Sequence, residues 1–111
     1  MKKLQPRVRA IKLAKEVRIR LTKELGQPVK VIMFGSQARG DATKESDIDL
    51  LVILPTIDAK TTRLASDVAW EVGFEMERVI STVVTTRAEL EHGAMGANPL
   101  VLNVEREGVR P

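Results

Sequence analysis

Residues 48–54 read IDLLVIL, and no other stretch limits the fold as strongly. A run this apolar suits a central strand covered on both faces, and Pro55 ends it. The chain must therefore build a sheet around this strand and lay helices against the sheet. Its single polar member, Asp49, stands one residue inside the run. A carboxylate there is costly unless it is paired or metal-bound. Asp47 lies two residues earlier, and in extended chain residues two apart point the same way. The two carboxylates would sit about 6–7 Å apart along one face, where they can share hard divalent cations.

The flanking segments supply the remaining elements. From Pro6 to Leu25 the apolar positions Val8, Ile11, Ala14, Val17, Leu21 and Leu25 fall three or four apart, a helical stripe with Lys and Arg opposite. Gly26 and Pro28 stop it. Val29–Phe34, short and β-branched, reads as the first strand. Residues 36–39 suit a short helical turn, and 40–46 a polar loop. A second helix is expected over Lys60–Val72, with Leu64, Val68 and Val72 repeating at four and Gly73 at its end. A third strand follows over about Glu77–Thr85. Thr86 and Glu89 match a capping box, so a short helix begins there. Asn98 and Pro99 open a last helix through Glu107, closed by Gly108. The predicted class is α/β (α+β): one domain over residues 1–111, a small mixed three-stranded core sheet flanked by helices.

The Gly35-Ser36 pair closes the first strand. A glycine beside a serine at a strand-to-helix turn offers backbone N–H groups and a hydroxyl to a phosphate. Alone the pair is an ordinary turn, and alone Asp47 and Asp49 could cap one. Joined through a single loop, they put phosphate donors and metal ligands within one hairpin's reach. That combination points to an enzyme that holds a metal–nucleotide complex and transfers part of the nucleotide.

Phe34-Gly35-Ser36-x-Ala38-Arg39-Gly40, followed by Ser46-Asp47-Ile48-Asp49-Leu50-Leu51-Val52, resembles the signature of the polymerase-beta-type nucleotidyltransferases. It is most similar to their smallest branch, the minimal nucleotidyltransferase domains of bacteria and archaea. Asn98-Pro99-Leu100 and Asn103-Val104-x-Arg106-Glu107-Gly108-Val109 are similar to the ending of such domains. The resemblance implies the nucleotidyltransferase fold, with Gly35 and Ser36 gripping a triphosphate and Arg39 adding a charge-assisted contact. It implies that Asp47 and Asp49 bind two Mg²⁺ ions, with ATP or another nucleoside triphosphate as substrate. It also asks for a third acid on the third strand. The core of that strand, residues 79–84, contains none. Glu75 and Glu77 just precede it, and Glu77, nearer the strand, is the better candidate. The resemblance further implies a small helical partner of the higher-eukaryote-and-prokaryote nucleotide-binding (HEPN) type, in a toxin–antitoxin-like pair, whose tyrosine would receive AMP. A competing reading keeps the fold but not the chemistry, with the chain acting as an antitoxin by contact.

Composition narrows the remaining options. Residues 1–25 hold nine Lys or Arg against two Glu, a net of +7 that leaves −4 for the rest. That asymmetry suits a solvated basic helix face, or a surface for nucleic acid or an acidic partner. Nucleic acid is the less favoured of these, because Phe34, Trp70 and Phe74 are the only aromatic residues available for stacking on bases. With no cysteine, disulfides and thiolate metal sites are excluded. No apolar stretch approaches the roughly 18 residues of a membrane span, and the charged N-terminus lacks a signal-peptide core, so a cytoplasmic setting is expected. His92, the single histidine, reads as a surface residue. A homodimer is plausible because a narrow sheet has edges to cover.

Overall fold

The structure is a computed structural model that describes residues 6–35, 47–93 and 108–111. Helix α1 (Pro6–Leu25) leads into strand β1 (Lys30–Phe34), followed by β2 (Ile48–Leu54), α2 (Ala59–Glu75), β3 (Ile80–Thr86) and the short α3 (Arg87–His92). The expected turn at 36–39, the loop at 40–46 and the last helix at 99–107 lie outside the described residues.

The sheet has the order β1-β2-β3, with β2 antiparallel to β1 and parallel to β3. β2 is the central strand, as its apolar run requires. Its even-numbered residues Ile48, Leu50, Val52 and Leu54 are buried under the helices and form the main core with Val31, Met33, Val17, Leu21, Val68 and Val72. Each fully buried Leu, Ile or Val is worth about 1.5–3 kcal/mol. The odd-numbered residues face the other way, where Leu51 and Ile32 are buried together beside Phe34, Ile53 and Val83. Asp49 belongs to this second face.

Two helix faces differ from the expected ones. On α1 the buried line is Ala10, Leu13, Ala14, Val17 and Leu21, while Val8 is exposed. The helix is turned so that small Ala10 and Ala14 meet the neighbouring layer. On α2, Gly73 does not end the helix, which runs on to Glu75. A side chain at Gly73 would strike the Arg78 carbonyl. The glycine therefore serves close approach: Arg78 N–H donates to the Gly73 carbonyl at 2.8 Å as the chain folds back under the helix end. The start of α2 carries a reciprocal cap. Asp58 accepts from Thr61 N–H at 2.8 Å, and the Thr61 hydroxyl accepts from Asp58 N–H at 3.0 Å. At α3, Thr86 accepts from Glu89 N–H at 3.1 Å, so the helix starts where the sequence predicts, with one half of the expected capping box.

The third strand starts at Ile80, later than expected, because the chain is still turning at Met76 and Glu77. Glu77 has φ +55, the left-handed region that non-glycine residues seldom adopt. At the other edge, Val109 and Met33 exchange backbone hydrogen bonds, each 2.8 Å long, so the end of the chain covers the outer side of β1 at that point. No helix among the described residues is long and apolar enough to cross a membrane.

Candidate functional site

The site lies at one corner of the sheet, where β1 ends and β2 and β3 begin. Asp47 stands just before β2 and is exposed; the next residue, Ile48, donates its N–H to the Val79 carbonyl at 2.9 Å. Asp49 is in the strand, opposite Phe34 on β1 and Ser81 on β3. The antiparallel register of β1 and β2 brings the glycine turn back onto the acids. Gly35 has φ +76, which ends β1 in a bend, and a Cβ built there would lie 2.6 Å from Asp49 Oδ2. Only a glycine lets the backbone come so near that carboxylate.

The electrostatics agree with this geometry. The Asp49 carboxyl is shifted above its ordinary range, first because it is partly buried and second because the Asp47 charge repels it. Two neighbouring carboxylates that repel each other are chemically suited to a divalent cation. This is the fit expected of a divalent ion held by the pair. Among the described residues, no group of three or more His, Cys, Asp or Glu is placed to hold a metal.

The other sequence candidates separate. Ser36 and Arg39 lie outside the described residues. Glu77 is exposed in the turn before β3, not on the strand where the sequence reading put it. Glu75 ends α2, where its Oε2 takes a 2.9 Å ion pair from Arg20, which also holds Glu16. The residue that the register sets beside Asp49 is Ser81. His92 is exposed on α3, as expected.

Sequence reasoning did not find Arg78. Arg9, Lys12 and Arg78 line a cavity of about 90 Å³ with Leu13 and Met76. Burial and the like charge of Arg9 depress the Arg78 pKa, while the opposite charge of Asp47 works against both. Basic residues of α1 thus lie beside Arg78, which itself feels the Asp47 charge, a link that helical spacing alone did not reveal. A second feature lies on α2. Trp70 and Phe74 stack in the open, with ring centroids 5.0 Å apart and planes 13° from parallel. Trp70 is 65% exposed and Phe74 70%, beside exposed Met76 and Val79.

Comparison with known proteins gives a consistent set of relatives. The model of the nucleotidyltransferase domain matches residues 12–94. An inferred protein adenylyltransferase of Methanocaldococcus jannaschii is 56% identical over 32 residues, which is 29% of this chain and 32% of that protein. The match thus spans about a third of that relative's length. Among solved structures, an inferred nucleotidyltransferase of Sulfolobus solfataricus superposes with a TM-score of 0.61 at 21% identity, covering 98% of this chain and 87% of the other. A toxin–antitoxin structure with AMP-PNP superposes with a TM-score of 0.57 at 20% identity, covering 85% and 68% respectively. At these identities the two structures speak to the fold.

Proposed function

The chain belongs to the nucleotidyltransferase domain family, and from that premise we propose that it transfers AMP from ATP to a hydroxyl on a partner protein. The observation that carries this reading is the meeting of Gly35 with the Asp49 carboxylate, next to Asp47. The acceptor oxygen bonds to the α-phosphorus, the bond from that phosphorus to the pyrophosphate oxygen breaks, and the hydroxyl proton goes to water. Asp47 and Asp49 would hold Mg²⁺, which neutralises the triphosphate and acidifies the acceptor hydroxyl. The Gly35 bend, with Ser36 and Arg39 beyond it, holds the phosphates. Arg78 adds positive charge on the Asp47 side. ATP as donor implies a cytoplasmic setting.

The protein acceptor is supported by the inferred protein adenylyltransferase relative and by the toxin–antitoxin neighbour. The exposed Trp70–Phe74 pair is the surface best suited to a partner, since exposed aromatic clusters mark interaction sites. A small helical partner of the HEPN type, modified on tyrosine, is the specific form of this proposal. A second reading, neutralisation of the partner by contact alone, is favoured by neutral Ser81 standing beside Asp49 on the third strand, the strand on which the resemblance asks for an acid.

The test is copurification from the native cell, followed by incubation with ATP labelled at the α- or the γ-phosphate. Transfer predicts α-label on the partner, an AMP mass increment on one hydroxyl residue, and no γ-label. The double substitution Asp47→Asn/Asp49→Asn should abolish labelling. Full partner neutralisation by that double variant would select the contact reading.

A further inference from the structure

Two hollows adjoin below the end of α2. One is an open groove of about 1010 Å³, with Trp70, Phe74, Val79 and Ile80 among its walls. The other is the cavity of about 90 Å³ that holds Arg9, Lys12 and Leu13. Met76 and Arg78 line both, so an apolar groove and a basic pocket share a wall. The backbone ties this wall to the acid corner. The Val79 carbonyl, one residue past Arg78, accepts from the N–H of Ile48, one residue past Asp47. The combined surface therefore reaches the corner from the β3 side, whereas Gly35 reaches it from the β1 side.

The two halves ask for different things. Trp70, Phe74, Met76 and Val79 are all at least half exposed, an apolar patch of the kind that marks a contact surface. In the basic half, Arg9 and Lys12 are exposed, and the Arg9 charge opposes that of half-buried Arg78. A carboxylate entering there would relieve that repulsion and gain charge-assisted hydrogen bonds. A polynucleotide fits the surface less well. Its phosphates would meet the carboxylates of Glu75 and Glu77, which line the same groove as the aromatic rings. Trp70 and Phe74 also spend one face each on their mutual stack, which a base would need. A polypeptide can set apolar side chains in the groove and a single acid in the pocket.

We propose that this surface docks a short segment of the acceptor protein in which an Asp or Glu stands close to apolar side chains. The apolar side chains cover Trp70, Phe74 and Met76, and the carboxylate sits among Arg9, Lys12 and Arg78. The segment then delivers its hydroxyl on the Asp47 side of the corner. This rests on the reading of the chain as a transferase to a protein hydroxyl, and gives the acceptor a chemistry. Aromatic and arginine side chains carry most of the energy at such contacts, and the charges set which partner fits.

The experiment is selection from a phage-displayed library of short random peptides on the immobilised chain. Parallel selections use Arg9→Glu/Lys12→Glu and Trp70→Ala/Phe74→Ala, each first shown by a thermal melt to be folded. The wild type should enrich peptides that join an acid to Leu, Ile, Met or an aromatic residue. The charge-reversed variant should lose the acid preference, and the truncated one the apolar preference. A synthetic peptide of the enriched sequence should bind the wild type roughly tenfold more tightly than the same peptide with its acid replaced by the amide. Single-stranded RNA of equal length should not displace it. Enrichment without an acid, a preference unmoved on both variants, no enrichment at all, or displacement by the RNA overturns the inference. Transfer of α-label separates it from the reading on which it rests. If Arg9→Glu/Lys12→Glu labels the copurified partner as fast as the wild type does, the docking inference fails and the transferase reading stands. If the peptide preferences appear as expected but no AMP reaches the partner, the docking surface stands and serves neutralisation by contact.

Discussion

Two glycines with nearly the same backbone conformation give a controlled test of the site. Gly26 has φ +66 with nothing within 4 Å of an added Cβ, and Gly35 has φ +76 with Asp49 Oδ2 at 2.6 Å. Alanine at either position incurs the left-handed penalty of about 1–2 kcal/mol. For Gly26→Ala the only offset is the roughly 0.4–1 kcal/mol of unfolded-state freedom that alanine removes, which leaves a net cost of about 0.5–1 kcal/mol. For Gly35→Ala the new methyl must also reach an ordinary carbon–oxygen separation of about 3.3 Å, so the carboxylate retreats by about 0.7 Å. Asp49 is fixed by a central strand and flanked by Phe34 and Ser81, so the retreat comes from its own side-chain torsions, at about 0.5–1.5 kcal/mol. With 1 kcal/mol worth about 4–8 °C in a domain near this size, Gly26→Ala should melt roughly 2–8 °C below the wild type, and Gly35→Ala about 5 °C lower again. Functionally the two should diverge further. Displacing a catalytic group by nearly 1 Å costs on the order of 10²-fold, so AMP transfer should collapse in Gly35→Ala and persist in Gly26→Ala, both assayed well below their melting points. Coincident melting curves and equal transfer rates would show that the Asp49 carboxylate does not lie over Gly35, and the reasoning about the site would be wrong.

Asp49→Asn should raise the melting temperature of the ligand-free protein near pH 7 while abolishing transfer. The folded pKa of Asp49 is raised, so its ionisation disfavours the fold: the penalty is absent below the unfolded value near 3.9 and grows as pH rises through the folded value. Wild type and variant should therefore melt together near pH 3, and a variant no more stable than the wild type near pH 7 would refute the burial argument. Glu77→Gly relieves a left-handed residue, gaining about 1–2 kcal/mol against about 0.4–1 kcal/mol of added unfolded-state freedom. A net stabilisation of about 0.5–1 kcal/mol by denaturant titration is expected, with binding of Mn²⁺ together with a non-hydrolysable ATP analogue unchanged; a tenfold loss of that binding would return Glu77 to the site as a ligand. Trp70→Ala/Phe74→Ala removes an exposed pair, so the chain should unfold with the wild type in a thermal melt yet lose at least tenfold in partner affinity. Undiminished copurification would move the partner to another face.

Much of this was written locally in the chain. The bounds of β2 and α1 follow from apolar runs and from stops that act over a few residues, Pro55 in one case and Gly26 in the other. The acid pair was legible because the period of a strand is short: position 49 inside an apolar run announces its own cost. What was not legible depends on contacts between distant segments. Gly73 looks like a helix stop until the Arg78 carbonyl is seen beneath it. Glu77 looks strand-facing until the turn reverses it, and no local pattern flags a glutamate with positive φ. The pairing of Ser81 with Asp49 is a matter of register across a crossover, set by where α2 ends rather than by either strand's sequence. Arg78 lay hidden for the same reason, since its neighbours Arg9 and Lys12 come from the other end of the chain.

The clasp between Val109 and Met33 has a practical corollary. It fastens the segment around Val109 to a residue two positions before Gly35. An affinity handle fused after Pro111 starts two residues from that clasp and tugs on the strand that presents the glycine bend. Where a purification tag is placed is thus itself a variable in any assay of this protein.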